Sequence, residues 1–358
     1  MQNVIKVPLF FDRHLHLREG DMLKTVLPCT INQHATGAVI MGNLKEPTSS
    51  VERTIAYWDE IMSHIPPGVD FKPTMAAYLT DQTTPEEIVR GVKEGVWQAV
   101  KLYMADQNGQ GGTTGSAHGV KNLRGRYGVF EAMQKHRIPL LGHFEAVEKE
   151  VDEFDREIVS LNRDLIPLLR DFPELPIVFE HLTDGRVADF IAQSSHKLYA
   201  TVTAHHLIMN RNWMFNGGVW NEDGKYHGGM NPGHYCKPVP KREEHRLRVR
   251  KHVTSGNRRF GAGTDSAPHD ETAKSHCYGC AAGIFTAPKA VELYTTVFDE
   301  DNALEHLGAF LSENFVNLYG RTISSKMMTL RRIPSTIPQK VGNVQVFMGG
   351  TELPWTLE

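Results

Sequence analysis

Eight short apolar, β-rich runs recur along this chain, each separated from the next by a stretch with helical signals. The runs are residues 4–11, 37–41, 71–79, 96–103, 138–142, 177–179, 198–202 and 259–262. The intervening segments carry helix start and stop signals. One is SSVERTIAYWDEIMSHI, with a serine cap and apolar residues at helical spacing; another is TTPEEIVRGVKEG, with a threonine cap, proline in the first turn and glycine at its end. Strands alternating with helices predict a parallel sheet, and eight of them close a (β/α)8 TIM barrel. The expected layout is an α/β chain of one domain, 1–358, with the barrel over about 4–290 and a C-terminal helical extension over about 291–358, made of added helices over 301–319 and a tail. An open doubly wound sheet is the competing architecture, but no GxGxxG follows an early strand to support it.

Composition narrows the function. A hydrophobic share of 40% and a charged share of 23% suit a globular protein with a large core. The formal charge of -3 is not gathered into a basic or acidic block, so neither nucleic acid nor an anionic membrane surface is an expected partner. The opening MQNVIKVPLF has no export pattern and no run has the length of a membrane span, so the expected location is cytoplasmic. Cys29, Cys236, Cys277 and Cys280 read as reduced thiols, and the lone CxxC at 277–280 lacks the second pair of a structural zinc site.

The barrel expectation carries a test. Active sites in such barrels lie at the C-terminal ends of the strands. At those ends stand His14 and His16 on the first strand, Asn43 on the second, Lys101 on the fourth, His143 on the fifth, His181 on the sixth and Asp265 on the eighth. The two histidines of HLH are at i and i+2, so in an extended strand they project to one side, about 6–7 Å apart, a spacing suited to holding one ion. Arg18 continues that alternation.

Singly, each has an ordinary explanation. A histidine beside apolar residues, such as His143 or His181, is more often a satisfied core residue, and Asp265 suits a turn. Lys101 in AVKLYM is the hardest to dismiss, because a lysine in an apolar strand is costly unless paired. Its ammonium has no lone pair for a metal. Addition of carbon dioxide to the amine would give an anionic carbamate with two oxygens able to bridge two ions.

The ordered set FFDRHLHLREGDML, VKLYM, LLGHFE, FEHLTD and GTDSAPH resembles the amidohydrolase superfamily and, within it, the short bacterial single-function dihydroorotases. The likeness runs from about residue 12 to about 313 and includes MGNL, YCKPV and CAAGIFTAPKA. It implies two zinc ions per subunit, bridged by hydroxide and by Lys101 as N6-carboxylysine. His14, His16 and Asp265 would hold one ion, and His143 and His181 the other. Arg18, Asn43 and His269 would bind the substrate carboxylate, and backbone near Lys237 and Ala282 the ring amides. Thr113 and Thr114, in the glycine-rich segment 105–119, would touch substrate from a lid. That segment is longer than the family's pattern, as is the stretch before Lys237.

The reaction so implied is reversible cyclisation of N-carbamoyl-L-aspartate to dihydroorotate and water, a step of pyrimidine synthesis, with Asp265 as general acid and base in a homodimer. Two metal ions sharing a water lower its pKa toward neutrality, and Arg18 selects an anionic substrate. A dihydropyrimidinase or allantoinase would use the same metals with less reason for Arg18, Asn43 and His269. A non-catalytic barrel partner would be expected to lose ligands, and none is lost here.

Overall fold

The computed structural model describes residues 3–106, 117–216, 219–220, 226–227, 229–275 and 279–358. Eight parallel strands form one sheet in sequence order: β1 (Phe10–Leu15), β2 (Ala35–Ile40), β3 (Lys72–Tyr78), β4 (Ala99–Tyr103), β5 (Leu140–His143), β6 (Ile177–Phe179), β7 (Leu198–Val202) and β8 (Phe260–Ala262). The ring closes where Leu15 bridges Ser266 in parallel, with His16 N donating to Ser266 O at 3.2 Å and Asp265 N to His14 O at 2.9 Å. This is a (β/α)8 barrel.

The strands are short and buried on both faces, as a parallel sheet wrapped by helices requires. Val100, Leu102, Leu140 and Ile177 join the core between sheet and helices, while Phe11, Val39, Ala76, Ala99, Leu141 and Val178 pack together in the barrel's interior. Lys101 is two residues from Ala99 along β4 and so shares its inward face. On β1 the pairing with β2 slips on either side of Asp12. That slip changes the phase of the strand, so Phe11 belongs to the interior floor while His14 and His16 face the mouth.

The helices start where the caps predict. Ser50 accepts from Arg53 N at the head of Val51–Ser63, and Thr84 from Glu87 N at the head of Pro85–Lys93.

One expectation needs correction. The first apolar run, 4–11, is two elements and not one barrel strand. Val4–Pro8 leaves the barrel and pairs antiparallel with Met327–Arg331, and β1 begins only at Phe10. A continuous apolar run carries no mark of the change of partner. The extension's helices end at Tyr319, where the sequence places their end, and its tail beyond them forms short strands. Its helical part plugs the barrel floor: buried Arg13 donates to Asn314 O at 2.9 Å and Leu311 O at 3.1 Å, and its guanidinium lies 5.0 Å from the Phe315 ring.

Candidate active site

At the C-terminal mouth, the strand ends bring four imidazoles together. His14 and His16 approach to 3.3 Å between their Nε2 atoms, and Asp265 Oδ1 lies 2.9 Å from His16 Nε2 and 3.4 Å from His14 Nε2. The ligand atoms of these three residues all lie within 4.8 Å of one another. His181 stands beside both His14 and His143, with ring centroids 5.0 and 4.5 Å away. Lys101 projects from β4 into the same space, its Nζ 4.8 Å from the centre of the Tyr103 ring.

Three of the four imidazoles are held from behind. Glu180 bonds to His14 Nδ1, Asn43 Oδ1 to His16 Nδ1 at 2.8 Å, and Glu145 Oε2 to His143 Nε2 at 2.6 Å. Thr201 Oγ1 fixes this scaffold by donating to Glu180 Oε2 at 2.8 Å and accepting from His181 N at the same distance. Outer partners of this kind set tautomer and ring direction in metal-binding histidines. Asn43 therefore does something beyond its expected substrate contact. Three site residues also sit in the left-handed region without being glycine: Arg18 (φ 60), His181 (φ 41) and Asp265 (φ 43). Such strain, about 1–3 kcal/mol each, persists where surrounding structure enforces it.

The electrostatics describe a site built for a cation that its own residues do not supply in full. Burial, reinforced by Lys101, holds His14 and His181 well below the ordinary histidine value, so both rings are neutral lone-pair donors. Burial also lowers Lys101 to about 8 and raises Glu180 to about 7. For Asp265 burial pushes upward, but His14 and His16 outweigh it and bring the carboxyl down to about 2. Among the described residues, buried Lys101 Nζ, His181 Nδ1, Glu180 Oε1 and Glu145 Oε1 have no hydrogen-bond partner. Leaving such groups unmade costs about 1–3 kcal/mol each. Neutral imidazoles, an ionised carboxylate and a lysine whose free amine is accessible near neutrality fit a metal centre.

Beside this cluster, Arg18 lines the same pocket with Asn43, Tyr103, Lys237, Ala282 and Gly283. Arg18 Nε donates to Pro268 O at 3.2 Å, and a terminal nitrogen reaches His269 Nε2 at 3.2 Å. His269 Nε2 is also 3.0 Å from Ala282 O. Burial, then the Arg18 charge, lowers His269 to about 3, so it is a neutral ring beside a guanidinium. The Lys237 amine is engaged with Glu153. Thr113 and Thr114 lie outside the described residues.

No family model matches the chain. A curated dihydroorotase of Sphingopyxis alaskensis is 44% identical over 346 residues, covering 97% of this chain and 96% of that one. The chain belongs to the dihydroorotase family. Another dihydroorotase, from Leptothrix cholodnii, is 44% identical over 350 residues with the same coverage. The crystal structure of the Saccharomyces cerevisiae dihydroorotase in complex with 5-fluoroorotic acid superposes with a TM-score of 0.87 at 29% identity, covering 100% of this chain and 99% of that one. Membership of the dihydroorotase family makes this a hydrolase of cyclic amides with a metal cofactor, consistent with the His14, His16 and Asp265 cluster. Glu145, Glu180, Thr201 and Tyr103 are parts of the site that the sequence reading did not single out. The acids were visible as the neighbours of histidine in GHFE and FEH, where a carboxylate in an apolar strand already needs a partner.

Proposed function

We propose that this chain is a dihydroorotase, interconverting N-carbamoyl-L-aspartate with dihydroorotate and water. The observation that carries the reading is that Arg18 lines one pocket with His143, His181 and two members of the His14, His16, Asp265 cluster, His16 and Asp265. A guanidinium there binds a carboxylate through two parallel hydrogen bonds, while the reacting amide sits over the metal donors. His14, His16 and Asp265 would hold one zinc ion and His143 and His181 a second, with Lys101 as a carbamate between them. When bound, the ions supply Lewis acidity at the amide carbonyl and a water of lowered pKa.

The rest is the work of this chain's own side chains. Asp265 takes the proton from the attacking water and returns it to the leaving ring nitrogen; in the synthetic direction it removes that nitrogen's proton. Glu180, Asn43 and Glu145 fix the directions of His14, His16 and His143. Arg18, assisted by His269 and Asn43, orients the substrate by its carboxylate, and backbone near Lys237 and Ala282 meets the ring amides. The protein would act in the cytoplasm as a homodimer.

Metal analysis and an assay of dihydroorotate hydrolysis on one preparation test the reading. Two zinc ions per chain with activity that chelation removes are expected. Full activity in metal-free protein would overturn it.

A further inference from the structure

Beyond the end of β7 lies a second cluster of metal-ligating atoms, which the catalytic reading does not use. His205 and His206 sit in the short helix Ala204–Ile208, and Cys236 approaches them from the segment before Lys237. All three are buried, and their ligand atoms lie within 4.8 Å of one another. Cys236 Sγ is 3.4 Å from His206 Nε2. In a tetrahedral zinc site with Zn–S of about 2.3 Å and Zn–N of about 2.0–2.1 Å, sulfur and nitrogen stand about 3.6 Å apart.

His205 supplies an independent observation. It is fully buried, and among the described residues neither ring nitrogen has a hydrogen-bond partner. A buried imidazole with nothing to bond costs about 1–3 kcal/mol for each stranded group. His206, by contrast, has partners on both nitrogens. Its Nε2 donates to Pro238 O at 3.0 Å, and a shift of that proton to Nδ1, 2.8 Å from Thr203 Oγ1, would free Nε2, which lies beside the sulfur, for an ion. The Pro238 carbonyl oxygen, 3.0 Å from His206 Nε2 and 3.4 Å from Cys236 Sγ, adds an oxygen donor.

We propose that His205, His206 and Cys236 form a separate structural site for a divalent cation of the zinc type, distinct from the catalytic centre. One thiolate and two imidazoles suit such an ion. Binding breaks the Cys236 S–H bond, forms the metal–sulfur bond and releases the proton to solvent. Both rings are already neutral, because burial holds His205 well below the ordinary value and His206 at about 4. The ion would tie the turn after β7 to the segment carrying Lys237, which lines the catalytic pocket.

Cobalt(II) substitution separates the two sites, because the proposed catalytic ligands include no sulfur. The cobalt-loaded wild-type protein should show a near-ultraviolet thiolate-to-cobalt charge-transfer band and one more metal equivalent per chain than Cys236→Ser or His205→Gln. The band should vanish in Cys236→Ser; should that variant not fold, loss of one equivalent in His205→Gln carries the same test. Cobalt-loaded wild type without the band, or a band and metal count unchanged in the folded variants, would overturn the proposal. A missing catalytic pair would instead show as lost activity with the band intact.

Discussion

Glu180 grips His14 by Nδ1 from the far side of the ring, leaving Nε2 facing His16 Nε2 at 3.3 Å and Asp265 Oδ1 at 3.4 Å. The direction of a proposed metal ligand is thus set by a residue on the opposite side of its ring. Outer partners of this kind are worth about 10–100-fold in metal affinity. Glu180→Gln should weaken zinc binding by about that factor, measured by competition with a chelator, while the variant with saturating metal recovers much of its turnover. Wild-type affinity in the variant would mean that Glu180 only fills space.

Lys101 is the most exacting residue of the site, since its buried amine has no hydrogen-bond partner among the described residues, although Glu180 and Asp265 act on its charge. Lys101→Ala should lose about a thousandfold or more in kcat, because the metal pair is asked for several kcal/mol. Short carboxylic acids should restore part of it by supplying the bridging oxygens. Unchanged activity without any additive would rule out the bridge.

In the proposed reaction, substrate choice rests on Arg18. Truncating one partner of a desolvated charge pair costs about 2–5 kcal/mol. Arg18→Met should therefore lower kcat/KM for dihydroorotate by roughly 30-fold or more, yet change hydrolysis of an uncharged dihydropyrimidine only slightly. Equal losses on both substrates would undo the carboxylate assignment and favour a neutral cyclic amide.

How far the sequence reaches can be judged from β1 and β7. The two-residue spacing of His14 and His16 was enough to put both on one face, because pairing in a strand is local. The slip at Asp12 that turns this face to the mouth, and the departure of Val4–Pro8 to meet Met327–Arg331, depend on partners far along the chain. No local pattern encodes them. His205 and His206 escaped notice for a related reason: they follow β7 on a helical turn, and Cys236 joins them from about thirty residues away. The lid expectation at Thr113 and Thr114 falls outside the described residues.

The last prediction concerns stability away from the catalytic cluster. Glu157 is fully buried, accepting from Thr183 N at 2.9 Å and lying 3.3 Å from Lys241 Nζ. Burial raises its carboxyl, against the opposing pull of Lys241 and with help from Asp184, from 4.5 to about 7. The folded chain then holds a proton that the unfolded chain has released at intermediate pH. Its contribution is fully present below pH 4.5 and is lost as pH rises through about 7. The difference in unfolding free energy between wild type and Glu157→Gln, followed by denaturant titration, should decline with rising pH across that window and level off above it. The slope can reach at most about 1.4 kcal/mol per pH unit, the value for one proton. A difference that stays flat across the window, or rises, would show that Lys241 keeps Glu157 ionised in the folded protein.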